Sequence, residues 1–304
     1  MCRLFALSGG RRPLRATFWL LDAPDALVRQ SRRNPDGYGL ATFEPDRSPD
    51  VDKRPAAAYR DTLFAREARE EESTTFVAHV RFASHGRKAL DNTHPFEQHG
   101  RVFAHNGHFD GLDTLESHLG AHLELVQGDT DSERLFALVT REIEVRGLDP
   151  GDALAEAARW IARELPVFAL NCVLATPTDL WVLRYPETHD LYVLERGSGG
   201  PGGDAAFDAT SAARRIRMRS QALADRAAVV FASEQMDDDP GWRLLEPGEL
   251  VHVDGDLNVS SRIDLGDPPA HPIRLEDLDP RTAAAAMAAE PELARRGTPT
   301  TAAD

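Results

Sequence analysis

MCRLFALSGG, residues 1–10, opens the chain and predicts a short strand over residues 3–9 with Cys2 at its leading end. Removal of Met1 would leave Cys2 as the first residue, with a free α-amine on the same carbon that carries the thiol side chain. The ordinary pKa is about 7.7–8.0 for such an amine and about 8.5 for a thiol, so a base and a nucleophile of similar strength would share one residue. N-terminal nucleophile catalysis uses this arrangement. The alternative interpretation is that a cysteine follows Met1 by chance.

Composition excludes several classes of protein. The 304 residues suffice for one large or two medium domains with a sizeable core. The formal charge of −15 repels phosphate backbones and anionic membranes, so neither a nucleic acid nor a membrane is expected as a partner. No apolar run approaches the roughly 20 residues that a membrane span needs.

Cysteine usage and the first thirty residues together predict a cytoplasmic protein. Cys2 and Cys172 are too few for a disulfide framework, which fits a reducing compartment. The basic residues 11–15 and the apolar residues 18–21 resemble an export signal, but acidic residues interrupt the segment and no small-residue cleavage site follows. Cys172 lies in an apolar strand and is predicted to be a buried packing thiol.

The order of predicted elements favours an α+β fold, because strands come first, then helices, then strands again. Strands are predicted at 3–9, 74–86, 101–107, 168–177, 179–186, 190–196, 227–234 and 248–257, and residues 34–43 are predicted to be a Pro/Asp/Gly turn that runs into a further strand. Helices are predicted at 59–72, 111–123, 130–147 and 151–166. The pattern also predicts a polar loop over 46–56 and a meander formed by the three strands between 168 and 196.

Four polar motifs lie at predicted strand ends or helix starts: NPDGYG (34–39), HVRFASHG (79–86), FAHNG (103–107) and GDTDSE (128–133). Together with MCRLFAL, they resemble the class II glutamine amidotransferases, the N-terminal-cysteine amidohydrolases of the N-terminal nucleophile (Ntn) superfamily. The resemblance spans about residues 2–260 and implies a four-layer αββα sandwich. Residues 261–304 are expected to form a C-terminal tail that is helical or partly disordered.

The resemblance implies a role for each matching residue. Cys2 is the nucleophile, and Asn106 with the backbone N–H of Gly107 stabilises the oxyanion. Arg81 offers a planar fork to the α-carboxylate of the substrate, and Asp131 offers a negative charge to its ammonium group. Ser84 matches a residue that lines the substrate pocket, and His85 completes that motif. The resemblance implies no cofactor and no metal.

Taken singly, most of these residues have an ordinary structural interpretation. Arg81 could form a surface ion pair, Asp131 could favour a helix N-terminus, and Asn106-Gly107 is a frequent hairpin turn. The joint occurrence of the motifs favours the catalytic interpretation for these residues. It leaves Asn34 and Asp36 with only a supporting role around the site.

Two other functions stay open. Eight of the eleven histidines lie between His79 and His122, which could form a metalloenzyme centre, although no HExxH motif or paired cysteines accompany them. Retention of Met1 would leave a protein that binds glutamine or γ-glutamyl compounds without catalysis.

The favoured function is cleavage of the γ-carboxamide of glutamine or of a γ-glutamyl amide through a thioester on Cys2. About forty residues follow the resemblance, too few for an ammonia-consuming synthase domain. The chain could therefore supply ammonia to a separate synthase. It could also remove the γ-glutamyl group from a larger amine, and the sequence does not choose between these outcomes.

Overall fold

The computed structural model describes residues 2–83, 87–197, 207–210, 217–220 and 226–287. Its strands, in chain order, are β1 (Arg3–Ser8), β2 (Gly37–Phe43), β3 (Pro49–Arg54), β4 (Thr75–Arg81), β5 (Phe96–Gln98), β6 (Arg101–Phe109), β7 (Pro166–Ala175), β8 (Leu180–Leu183), β9 (Tyr192–Arg196), β10 (Phe207–Thr210), β11 (Arg217–Ser220), β12 (Ala228–Ala232), β13 (Arg243–Leu244), β14 (Glu249–Val253), β15 (Val259–Ile263) and β16 (His271–Pro272). The α-helices are α1 (Leu27–Gln30), α2 (Thr62–Glu70), α3 (Leu112–Leu119), α4 (Asp131–Arg146), α5 (Pro150–Glu164) and α6 (Pro280–Met287).

Most strands belong to two large sheets. The first has the order β13-β9-β12-β1-β4-β2-β3, and the second has the order β15-β14-β8-β7-β6-β5. Neighbours along both orders are antiparallel, whereas β16 adds to β7 in parallel and β10 pairs with β11 in a separate two-stranded sheet. No helix in the described ranges is long and apolar enough to cross a membrane.

Three apolar clusters define four layers. One lies between the sheets and includes Leu4 and Ala6 of β1. A second packs α1, α2 and the π-helical turn 18–22 on the outer face of the first sheet and includes Phe5 and Leu7. The third packs α3, α4 and α5 on the outer face of the second sheet. The predicted αββα sandwich is confirmed, and the continuous apolar run in β1 follows from burial on both of its faces.

Two local predictions were wrong. β9 does not continue a meander from β7 and β8, because it pairs with β12 and β13 in the opposite sheet. The connection from β8 to β9 is held by the buried Arg184, which donates to the carbonyls of His189 and Leu245 at 2.8 and 2.6 Å. The predicted loop 46–56 contains the edge strand β3, whose acidic and basic residues suit an exposed sheet edge.

The segment after residue 260 lies along the sandwich. It completes β15, adds β16 to β7, and ends in α6. Ile273, Leu278 and Ala286 pack against the buried side chains of Phe168 and Ala169. The C-terminal part of the described chain therefore reaches the end of the sandwich at which β1 begins, as the contacts of Arg281 below show.

Candidate active site

The Cys2 thiol lies where β1 meets the end of β4. Arg3 of β1 is opposite Val80 of β4, which brings the chain just before β1 to the chain just after β4. The backbone N–H of Phe82 donates to Cys2 Sγ at 3.3 Å, and the thiol donates to the Phe82 carbonyl at 3.5 Å. Burial raises the pKa of the Cys2 thiol, and the positive charges of Arg81 and Arg3 act against that increase.

A buried ion network fixes the main chain at Cys2. Arg3 donates to the Cys2 carbonyl at 3.0 Å, and its guanidinium also pairs with Glu234 just after β12. Glu234 pairs in addition with Arg33 at 2.9 Å. The two arginines hold the pKa of Glu234 below its ordinary value against the effect of burial, so Glu234 stays charged and keeps the start of β1 in place.

Arg81 is the last residue of β4 and is 3% exposed. Its Nη1 donates to the Arg87 carbonyl at 3.1 Å, which connects the end of β4 to residue 87 of the loop between β4 and β5. Burial lowers the pKa of Arg81, whereas Asp36, Asp131 and the thiolate form of Cys2 favour its charged form. Arg81 therefore interacts electrostatically with the predicted nucleophile and with the predicted substrate-binding carboxylate.

Asn106 lies in β6, on the sheet that faces β1, and is 3% exposed. Its Nδ2 donates to Ser233 Oγ at 3.3 Å, and that oxygen also accepts from the backbone N–H of Leu4 at 3.0 Å. Ser233 thus connects Asn106 to the strand that carries Cys2. Asn106 Oδ1 is buried and has no hydrogen-bond partner in the described part of the chain.

Gly107 is a position at which only glycine fits without displacement of the backbone. A Cβ atom there would lie 1.9 Å from the Ala169 carbonyl oxygen in β7 and 2.3 Å from His105 Nε2. Gly107 is also partly exposed, whereas Asn106 and His108 on either side of it are buried. The backbone at this point of β6 is therefore accessible.

Asp131 begins α4 and joins this helix to the end of β6. Its Oδ2 accepts from the backbone N–H of Phe109 at 3.3 Å, and its Oδ1 accepts from the backbone N–H of Ser132 at 2.8 Å. Thr130 caps the helix by accepting from Glu133 N at 3.3 Å. A carboxylate at a helix N-terminus is favoured by the helix dipole.

Asp36 supports the loop that follows Arg81. Its side chain is buried and accepts from the backbone N–H of Ala83 at 2.9 Å. The Asp36 carboxylate pairs with Lys88, further along the same loop, and with Arg281 of α6 at 2.8 Å. These partners hold the pKa of Asp36 below its ordinary value against the effect of burial. Asn34 donates to the Gln30 carbonyl at 3.2 Å and stabilises the preceding turn.

Ser84 and His85, predicted to bind substrate, lie outside the described residues, as does Gly86. The described residues on either side, Ala83 and Arg87, are held by Asp36 and Arg81. Any role of Ser84 or His85 therefore stays a prediction.

The histidines do not form a ligand set in the described part of the chain, where no group of three His, Cys, Asp or Glu residues could hold a metal ion. His79 and His94 are buried and stack at 4.2 Å, and burial lowers the pKa of His79 to about 3. Both nitrogens of His105 have partners, Ser132 Oγ at 2.9 Å and the Ala169 carbonyl at 3.2 Å. These rings are core side chains. Cys172 is also buried, as predicted.

Sequence reasoning missed three residues around this site. Ser233 and Glu234 follow β12 directly, and their only sequence signal is a polar pair after an apolar strand. Arg281 lies far along the chain in an alanine-rich segment, and nothing near it in the sequence indicates a contact with Asp36.

The two facing sheets, the outer helices and the cysteine at the head of a central strand define a fold of the Ntn type. A family model described as "Glutamine amidotransferases class-II" matches residues 1–269. The chain belongs to this family.

Relatives of this chain include two proteins named as amidotransferases. The probable glutamine amidotransferase DUG3 of Saccharomyces cerevisiae is 30% identical over 171 residues, which cover 49% of this chain and 48% of the yeast protein. The putative glutamine amidotransferase YafJ of Escherichia coli is 28% identical over 224 residues, 70% of this chain and 80% of that protein. The chain thus spans about half the length of the yeast relative.

Among solved structures, the glutamine phosphoribosylpyrophosphate amidotransferase of B. subtilis matches with a TM-score of 0.61 at 19% identity. The match covers 88% of this chain and 50% of the B. subtilis chain. At this identity the likeness supports the fold alone.

Proposed function

We propose that the chain cleaves the γ-carboxamide of glutamine, or of a γ-glutamyl amide, through a thioester on Cys2. The observation that carries the proposal is the contact of the Cys2 sulfur with Phe82, directly after the buried Arg81. The opposite charges of Arg81 and Asp131 suit a zwitterionic glutamyl head. The guanidinium would take the α-carboxylate and the carboxylate would take the α-ammonium.

The proposed reaction uses the α-amine that removal of Met1 exposes. This amine takes the proton of the Cys2 thiol, and the sulfur forms a bond to the amide carbon while the C=O electron pair moves to oxygen. The C–N bond then breaks, and the departing amine takes the proton from the Cys2 ammonium. Water activated by the same amine hydrolyses the thioester and releases glutamate and free thiol.

The surroundings of Asn106 support an oxyanion site. Ser233 Oγ accepts from Leu4 N, so its hydroxyl proton is available for another partner. If the side-chain amide of Asn106 is flipped by 180°, its Oδ1 accepts from the Ser233 hydroxyl, and its Nδ2 occupies the position of the oxygen that has no partner. An N–H donor at that position, together with the backbone N–H of the partly exposed Gly107, is suited to a developing oxyanion.

The identity of the leaving amine is a separate question. Arg81 and Asp131 would bind only the α-carboxylate and the α-ammonium of the glutamyl group. The same two residues would therefore bind a substrate that releases ammonia to a separate synthase or one that releases a larger amine. A reducing compartment such as the cytoplasm is expected because the mechanism needs a free thiol at Cys2.

Three measurements on purified protein test the proposal. Intact mass is expected to show loss of Met1, and a diazoketone analogue of glutamine is expected to add once, at Cys2. Cys2→Ala is expected to abolish glutamate release from a panel of glutamine and γ-glutamyl amides while the fold persists. Cys172→Ala, a change to the other thiol, is the matched control and keeps both activity and labelling.

An active Cys2→Ala protein would refute the proposal. Retained Met1 without labelling would instead favour a glutamine-binding protein without catalysis. Loss of activity with a chelator would favour a metalloenzyme.

A further inference from the structure

A second concave surface lies next to the loop after β4. It is a cleft of about 750 Å³. Three segments line it: the turn after α1 between residues 32 and 35, residues 56–62 at the start of α2, and Lys88 in the loop between β4 and β5. Arg32, Tyr59, Arg60 and Lys88 contribute its charged and aromatic side chains. Of these residues, only Lys88 was described above, as an ion-pair partner of Asp36.

The charge of the cleft is opposite to the charge of the whole chain. In a protein with 50 acidic and 35 basic residues, its lining carries three cationic side chains and one carboxylate, Asp61. That carboxylate caps α2 by accepting from Leu63 N at 2.9 Å. Arg32 and Arg60 form no ion pair within the described part of the chain, so the cleft has an uncompensated positive charge.

The two guanidinium groups are held in place. Each lies 5.0 Å from the centre of the Tyr59 ring, so both stack on the same aromatic side chain. The backbone N–H of Tyr59 donates to the Oγ of the fully buried Ser31 at 2.9 Å, which fixes the ring relative to α1. A stacked guanidinium keeps its in-plane N–H groups free for a planar or tetrahedral anion.

The cleft is structurally connected to the Cys2 sulfur. Lys88, in the cleft wall, pairs with Asp36, and Asp36 accepts from the backbone N–H of Ala83. Ala83 follows Phe82, whose backbone N–H contacts the sulfur. Asp36 therefore contacts both a residue of the cleft wall and the segment next to the nucleophile, which suits a ligand that extends from one to the other.

From these observations we infer that the cleft binds a carboxylate or phosphate group through Arg32, Arg60 and Lys88. Resting on the proposed function, this makes the preferred substrate a γ-glutamyl amide whose leaving amine carries such an anion. The same chemistry would also hold a free anion that is not part of the substrate.

Paired substrates and a double variant test the inference. Wild-type protein is assayed with γ-glutamyl-β-alanine and with the uncharged γ-glutamyl-propylamide, and inorganic phosphate binding is measured by calorimetry. Arg32→Gln/Arg60→Gln is expected to raise KM for the carboxylated substrate about 10- to 100-fold, as loss of charge-assisted hydrogen bonds predicts, and to leave the uncharged substrate unchanged. Arg12→Gln/Arg15→Gln, at exposed positions near the other end of β1, removes the same charge and is the control.

The outcomes separate the two sources of the anion. An effect confined to the carboxylated substrate supports a leaving-group subsite. Phosphate binding that the cleft variant weakens, with unchanged kinetics on both substrates, supports a site for a free anion. Equal behaviour of the cleft variant and wild type towards all three probes overturns the inference. If no γ-glutamyl compound is cleaved, the proposed function fails, whereas the phosphate titration still tests the cleft.

Discussion

Replacement of Gly107 by alanine tests whether the backbone of β6 takes part in the chemistry. The added Cβ would lie 1.9 Å from the Ala169 carbonyl oxygen, where ordinary van der Waals contact needs about 3.4 Å. The neighbour is backbone of the central strand β7 and cannot rotate away as a side chain could. β6 must therefore move from β7 by roughly 1 Å or more at the position next to Asn106.

Two magnitudes follow from this displacement. Overpacking of this kind costs about 1–3 kcal/mol of unfolding free energy, which a shift of the urea midpoint would report. Misplacement of an oxyanion donor by about 1 Å lowers kcat by about 10²-fold, with a smaller effect on KM. The activity is measured as glutamate release per folded molecule, so that loss of stability and loss of catalysis are separated.

Gly266→Ala is the matched control, because a Cβ at this exposed glycine meets no atom within 4 Å. It is expected to leave both stability and kcat at wild-type values. A folded Gly107→Ala protein with unchanged kcat would refute the role of this backbone segment as an oxyanion donor. Unchanged stability would refute the steric argument itself.

Three further predictions concern charge. Asp131→Asn keeps the side-chain size but removes the charge offered to a substrate ammonium and one of the two oxygens that accept backbone N–H groups, so KM for glutamine is expected to rise about 10- to 100-fold, with Asp113→Asn on the exposed first turn of α3 as control; equal KM values would contradict the assignment. His79 has a folded-state pKa of about 3, below its ordinary value of about 6.5, so the unfolded chain binds the proton first and stability falls as pH drops from 6.5 towards 3. By pH 5 protonation of His79 in the unfolded chain lowers the free energy of unfolding by about 2 kcal/mol, which urea unfolding would measure. His79→Gln is expected to make the free energy of unfolding depend less on pH, and an unchanged pH dependence would refute this prediction. Arg281→Ala removes one partner of the buried carboxylate of Asp36 and is expected to lower the free energy of unfolding by about 0.5–1 kcal/mol. Arg274→Ala, in an exposed ion pair with Glu276, is the control and is expected to leave it nearly unchanged. Equal unfolding midpoints for the two variants would contradict a stabilising contact between Arg281 and Asp36.

The elements predicted best from sequence are those whose local pattern matches their surroundings. The apolar run of β1, the capped start of α4 and its end at Gly147 follow from side-chain pattern and capping chemistry. β3 was missed because an edge strand exposes charged residues and therefore resembles a loop. β9 was assigned to the wrong neighbour because alternation of apolar residues indicates a strand but not the sheet it joins.

The candidate site shows the same division. Cys2, Arg81, Asn106, Gly107 and Asp131 could be selected because each belongs to a short motif with a chemical meaning. The contacts made by Ser233 and Arg281 could not, since they join residues more than a hundred positions apart across the sandwich. Contacts between residues so far apart leave no local pattern in the sequence, and they become visible only in the folded structure.

The position of β1 between β12 and β4 has a practical consequence for protein engineering. Most chain ends fray, but this strand is paired with β4 from Arg3 to Ser8 and with β12 from Phe5 to Ser8, and extra residues ahead of Cys2 would adjoin the candidate nucleophile. A purification handle is therefore better inserted in the exposed turn 44–48, which joins β2 to the edge strand β3. An insertion there leaves the N-terminus free, so that removal of Met1 can still expose the α-amine of Cys2 on which the proposed mechanism depends.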